Sequence, residues 1–471
     1  MVTAALVAAC SDDGAAPLTD VGGAGTARVA ANAVGFSVSL AGVGPAVGGL
    51  DGGNDALCPG LAWGGATATS DMRLYHADGM DIAVSRGGEA AALTRAVGFI
   101  KNAGDTGFDE SNGDIDIHAV GFGVFASYTG IHKYSASTVK SDFMFNDHVS
   151  WTEADGGHWT YDPLRYWPNG EEEATGVTGS VPHYVSFFAY APFSQMEDNA
   201  DPDPATHPAD YCIPSSSLAH ETGDPWIVYR LIDQDNLDQQ VDLLYADGTD
   251  DQLLDQTKKE YDTTKGKVGT VDITLKHALA CFGEKVTITL SQKDYPDDDS
   301  EADKAKEALE RLEDVELRLT YVGIDYSLTP KAKLVLWNQG EPNWQPIVSQ
   351  VMAETRTVTL LDADAGDTAY TLFSRAGNVN DTTIGAYDGT EGIYKWESTD
   401  NHGIFFIPVE VDGFPQTATL RVSYEVYVQG VKDDGMSKTK TATVRLSDYY
   451  DSFKLGGQRL DQVDITLTLD E

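Results

Sequence analysis

Three short patterns in this chain place reactive residue types at spacings that chemistry can use. Ser137 and Lys140 stand at S-x-x-K spacing, where a lysine beside a serine hydroxyl assists nucleophilic attack. That arrangement needs companions, and they are missing. No S-D-N occurs in the chain, and Lys438-Thr439-Lys440 has Lys where K-T-G needs its glycine. His220-Glu221 opens the zinc pattern H-E-x-x-H, but the second His position holds Asp224. Asp109, Glu110, Asn112, Asp114 and Asp116 gather oxygen donors. Gly113 falls one place early for the sharp turn of a calcium loop, and no Glu closes it. No G-x-S-x-G and no phosphate-cradling glycine loop occurs. The 74 Asp and Glu residues are too many to single out a glycosidase pair. The chain is read as non-enzymatic, with no cofactor and no metal.

The cysteines point to a different chemistry. There are four. Cys58, Cys212 and Cys281 can form at most one pair and leave a thiol over, so no disulfide framework is implied. None has a Cys or His partner at metal-site spacing. Cys10 stands apart, because Val7-Ala8-Ala9-Cys10 resembles a bacterial lipobox, in which the cysteine is lipidated after the leader is cut. Small residues at 8 and 9 suit a signal-peptidase cleft. Ser11-Asp12-Asp13 resembles the export tag of surface lipoproteins in Bacteroidetes. Only nine residues precede Cys10 and none is Lys or Arg, which points to a shortened leader. Residues 1–27 are expected to be leader and Gly/Ala-rich tether.

Composition bounds the rest. At 471 residues the chain is long for one ordinary core, so two domains are expected. Hydrophobic residues at 41% and aromatic residues at 10% suffice to build them. Lys+Arg 32 against Asp+Glu 74 gives a net charge of −42, the wrong sign for nucleic-acid binding. Such acidity resists non-specific docking on anionic membranes and suits a secreted or surface protein. No run is long and apolar enough to span a bilayer.

The elements that would position any site are strands. In 34–40, Phe36, Val38 and Leu40 share one face. Residues 41–114 are rich in Gly, Ala and Asp and are read as a long irregular loop carrying Arg73, Arg86 and Arg95. In 118–128, Phe122, Val124 and Ala126 share a face. Gly121 and Gly123 lie opposite, where another group can approach the backbone closely. The segment 151–193 holds three of the eight tryptophans, Trp151, Trp159 and Trp167, then a buried-strand run from His183 to Tyr190. Residues 247–265 are polar and charged, a candidate linker. In 271–279 Val271, Ile273, Leu275, His277 and Leu279 alternate, and His277 is read as a hydrogen-bonded core histidine. Residues 297–313 read as one short helix inserted at the surface, with Ser300 as its cap. Strands return from 315 to the end. The last, 462–469, puts Val463, Ile465, Leu467 and Leu469 on one face and repeats the V-D-I-T-L of 271–275.

Several stretches carry a family resemblance. Trp159-Thr160-Tyr161, Tyr166-Trp167-Pro168 and Val185-Ser186-Phe187-Phe188-Ala189-Tyr190-Ala191-Pro192 resemble the fimbrillin-like (Mfa-like) family of Bacteroidales, the subunits of type V pili. So do 124–130, the strand 241–246 with its Gln239-Gln240 lead-in, and His277-Ala278-Leu279-Ala280. The resemblance is strongest over 122–290. It implies an all-β fold of two transthyretin-like β-sandwich domains in tandem, here 28–246 and 266–471 around the 247–265 linker. It implies a fimbrial subunit exported as a lipoprotein to the outer-membrane surface. An Arg-directed protease then opens a groove after the first strand, and the C-terminal strand of the next subunit fills it. The partners would be other fimbrial subunits, the outer membrane through a lipid anchor before processing, and host or bacterial surface ligands. On that reading Cys10 is lipidated and cleavage follows Arg95, with Arg86 and Arg28 as alternatives. The donor strand carries Val463, Ile465, Leu467 and Leu469. The short leader, the Gly/Ala loop and the 297–313 helix depart from the family and leave stalk, anchor and tip roles open. A second reading is a surface glycan-binding lipoprotein with Trp151, Trp159, Trp167, Trp337 or Trp344 as sugar platforms. Exposed coplanar tryptophans in one cleft would favour it.

Overall fold

The computed structural model describes residues 34–40, 72–77, 80–85, 100–103, 108, 110, 114–130, 140–166, 184–196, 202–246, 270–283, 285–290, 315–336, 343–347, 354–374, 395–398, 403–411, 414–449 and 462–467, with isolated gaps inside these spans left aside. They form an all-β protein with two short α-helices among the described residues. The strands begin with β1 (Gly35–Leu40), β2 (Met72–Ala77), β3 (Met80–Ser85), β4 (Ile100–Lys101) and β5 (Ile115–Asp116). After helix α1 (Ile117–Val120) come β6 (Phe122–Gly130), β7 (Met144–Thr152), β8 (His158–Thr160) and β9 (Tyr184–Ala191). Helix α2 (Pro208–Cys212) precedes β10 (Ser215–Ser216), β11 (Trp226–Arg230) and β12 (Leu244–Ala246). Then follow β13 (Thr270–His277), β14 (Ala280–Phe282), β15 (Lys285–Leu290), β16 (Val315–Leu328), β17 (Lys331–Val335) and β18 (Asn343–Pro346). The chain ends with β19 (Glu354–Asp362), β20 (Tyr370–Ser374), β21 (Trp396–Glu397), β22 (Ile404–Phe406), β23 (Thr417–Val428), β24 (Val431–Arg445) and β25 (Gln462–Leu467).

A seven-stranded sheet runs β1-β13-β12-β9-β6-β7-β8, and its central strands β12, β9 and β6 are buried on both faces. Phe122, Val124, Ala126, Phe187, Ala189, Leu244, Val271, Ile273 and Leu275 fill one core. Phe125, Phe188, Tyr190 and Tyr245 point the other way, into a larger core. This two-sided burial explains why β9 reads as an unbroken apolar run rather than an alternating one. Gly123 does what its position promised. A Cβ there would stand 2.3 Å from the Tyr190 ring, so only glycine lets that ring lie over β6. The strand expected over 118–128 starts later. Asp116 accepts a hydrogen bond from the His118 N–H at 3.1 Å and caps α1, which Gly121 ends at φ 62°.

The larger core joins the remaining sheets except the β4–β5 pair, which lies against the first core. One runs β2-β3-β25-β15-β21, and a second is built on β19-β16-β23-β24 with β20 beside β16. Val286, Ile288, Val463, Ile465 and Leu467 from the first meet Leu317, Leu319, Ile324, Leu420 and Val422 from the second. The strands β10-β11-β17-β18 and β14-β22 complete the layers.

Two features differ from the reading of the sequence, and a third is untested. The loop expected over 41–114 contains the β2–β3 hairpin and β4, which pairs in parallel with β5 just past its end. The 247–265 segment was expected to separate two domains, but β12 before it and β13 after it are antiparallel neighbours in one sheet. β11 and β17 likewise pair across it. The apolar face of β13, with Val271, Ile273 and Leu275, is buried in the same core as the apolar side chains of β1 and β12 beside it. The inserted helix at 297–313 lies outside the described residues.

Candidate functional site

β1 is the outermost strand of the seven-stranded sheet. It runs parallel to β13, from Gly35 opposite Thr270 to Leu40 opposite Leu275. Among the described residues one ladder therefore holds it. Phe36 is buried and meets Phe122, Tyr161 and Phe187 edge-on at centroid distances of 5.9, 5.5 and 6.0 Å. Val38 and Leu40 lie against the same core, while Ser39 faces out beside Thr274 at 3.2 Å. The start of β1 is clipped by the 161–165 turn. The Tyr161 hydroxyl donates to the Val34 carbonyl at 2.9 Å and accepts from the Arg165 N–H at 3.2 Å. The Val34 N–H donates to the Arg165 carbonyl at 2.9 Å. Burial pushes the Tyr161 hydroxyl up to about 12.

The chain rejoins the body of this sheet at Ile100. Its side chain is buried, and its N–H donates to Asp242 Oδ2 at 3.1 Å. That carboxylate is fully buried and also meets His277 Nδ1 at 2.7 Å, so His277 is the paired core histidine its position suggested. Lys101 adds an ion pair with Asp114 at 2.8 Å. Asp114 and Asp116 are thus engaged within the fold, and among the described residues no group of three or more potential ligands gathers for a metal. Cys10, Arg28, Arg86 and Arg95 lie outside the described residues. The two arginines at 86 and 95 fall between the end of β3 and the start of β4.

The C-terminal strand is an interior strand. β25 runs parallel to β15, from Gln462 opposite Lys285 to Leu467 opposite Leu290. On its other side it runs antiparallel to β3. Val463, Ile465 and Leu467 are buried in this chain's own core, and Leu469 lies outside the described residues. Sequence alternation located these three side chains. It missed β3, although Asp78-Gly79 between 72–77 and 80–85 is a hairpin signal, and Ile82 and Val84 alternate with polar or small neighbours.

Among the described residues the candidate tryptophans do not form a coplanar platform. Trp159 is buried and meets Trp151 at 73° between planes, and His118 stacks on Trp151 at 4.1 Å. Trp344 packs against a different core and donates to the Ala278 carbonyl at 3.0 Å. Trp167 and Trp337 lie outside the described residues. Of the other motif residues, Lys140 forms an isolated antiparallel β-bridge with Thr222, and Glu221 accepts from the Leu218 N–H at 2.8 Å, while Ser137 lies outside the described residues.

No protein-family profile and no curated protein matches this chain. Solved structures do. A fimbrial protein from Bacteroides vulgatus matches at 16% identity and a TM-score of 0.40, over 74% of this chain and 92% of that one. A candidate cell adhesion protein from Bacteroides uniformis matches at 10% identity and 0.26, over 69% and 91%. Another from Parabacteroides distasonis matches at 10% and 0.27, over 69% and 71%. These neighbours are fimbrial and cell adhesion proteins of the Bacteroidales.

Proposed function

We propose that this chain is a structural or adhesive subunit of a cell-surface fimbria, exported as a lipoprotein through Cys10 and assembled by strand exchange after proteolysis at Arg95. Arg86 and Arg28 are the alternative sites. One observation carries the reading: β1 and β25 share a parallel pairing over six residues. Each is a short strand laid parallel on its neighbour, β1 on β13 and β25 on β15, with alternate apolar side chains turned into the core. A β25 from a second copy could therefore take the place of β1 with the same polarity. Main-chain hydrogen bonds would supply affinity, and the alternate side chains would set register. A cut between Ser85 and Ile100 would separate β1 from the body, while Ile100 stays tied to Asp242. The partners are other subunits of the same fimbria, the outer membrane before processing, and host or bacterial surface ligands.

The test is competition. Full-length protein is cut with an Arg-specific protease in the presence of a synthetic peptide of residues 462–469. Cut protein alone should form SDS-resistant ladders. Saturating peptide should shorten them, and a peptide with the alternation inverted should not. Ladders that form undiminished beside saturating peptide would refute β25 as the donor.

A further inference from the structure

We propose that the β2–β3 hairpin is a lock on β25, an intramolecular contact that keeps the C-terminal strand in its own sheet until the N-terminal segment leaves. The proposal rests on the donor reading above and adds a control that reading lacks. β25 is paired along both edges. Its register with β3 runs unbroken from Gln462 opposite Ser85 to Leu467 opposite Met80. Met80, Ile82 and Val84 are buried in the same core as Val463, Ile465 and Leu467. To leave, β25 must break two ladders at once and abandon side chains on both sides. Without the hairpin it becomes an edge strand, with one ladder to break and a free row of N–H and C=O groups.

The hairpin is built to come away as a unit. Among the described residues, β3 pairs with β2 and β25 and with no other strand, and β2 pairs with β3 alone. Its departure would take no third strand with it. It also belongs to the same stretch of chain as β1. Both lie before Ile100, where the chain is tied to the first sheet through Asp242. One segment thus fills the edge beside β13 in one sheet and the edge beside β25 in another. A single cut between Ser85 and Ile100 would release both. Acceptor and donor then become available together, and an uncut chain can offer neither.

The test uses the full-length chain and amide hydrogen exchange at 462–467. In one variant, Ile82→Asp with Val84→Asp, charges on the buried face of β3 expel the hairpin without a cut. Exchange across β25 should rise at least tenfold while the β23 amides hold their protection. In a second variant, Ala83→Cys with Asp464→Cys, the facing register partners are bridged across β3 and β25 on the side away from the core. After protease treatment the oxidised form should give no ladders, and reduction should restore them. Unchanged exchange at β25 in the folded first variant would overturn the lock. So would ladders from the oxidised second variant at the rate of the reduced one, and this arm decides the matter if the first variant does not fold. If β25 opens in the first variant but no form yields ladders, the lock stands and the donor reading fails.

Discussion

Tyr161 shows how much one hydroxyl can hold. It ties the residue before β1 to the 161–165 turn, and the Val34 carbonyl it serves is buried. Tyr161→Phe strands that carbonyl, which costs about 1–3 kcal/mol. The urea midpoint should fall accordingly, and the β1 amides should exchange faster than those of β9. The same group sets an alkaline limit. Its folded value of about 12 lies above the ordinary 10, so between those values the unfolded chain sheds its proton first. Stability from this group is complete below pH 10 and is lost as the pH rises toward 12. Tyr161→Phe should flatten that part of the stability curve; an unchanged alkaline slope would mean that the hydroxyl is not sequestered. Other residue-scale facts were only half legible. His277 reads as a core histidine from its place in an alternating strand. Its partner Asp242 does not, because an aspartate beside an apolar run looks solvent-facing until β12 and β13 are known to be adjacent.

Elements were legible where alternation was clean. β13, β16, β23 and β25 lie close to where period-two patterning puts them. The β2–β3 hairpin was obscured by composition, since Gly and Ala dominate the flanking residues and mask six-residue strands. β25 is the element whose setting changes an expectation. If it waited as an exposed donor, a charge at Leu467 would spare the monomer. Leu467 is instead fully buried between β3 and β15. Leu467→Asp places an unpaired carboxylate in that core and should lower the stability of the uncut chain by about 3–5 kcal/mol. A urea midpoint equal to that of the unaltered chain would show that β25 does not occupy its own sheet. Assembly tests of the donor role therefore need the competing peptide rather than this substitution.

At the scale of the molecule, charge was the plainest signal and topology the faintest. A net charge of −42 makes copies repel one another at long range. Strand exchange between them should accelerate as salt rises from about 10 to about 200 mM, because the screening length falls well below the size of the protein. Ladder formation that slows over that range would point to attraction between unlike patches instead. The pairings that define the architecture join distant residues, β1 with β13 and β3 with β25, and nothing local encodes which strand will be the partner. That is why an expected boundary at 247–265 falls inside a sheet.

The pairing of β3 with β25 also fixes an order of folding. β3 is made long before its partner β25, so the second sheet cannot close until the chain has grown past Leu467. Contacts this distant in sequence are slow to form. Until Gln462–Leu467 exists, β3 and β15 each present an unpaired edge, and a chain that stops short keeps them open. Closure of that sheet therefore requires that synthesis has passed Leu467, and a subunit cut short before it would be marked by exposed edges that degradation machinery can engage.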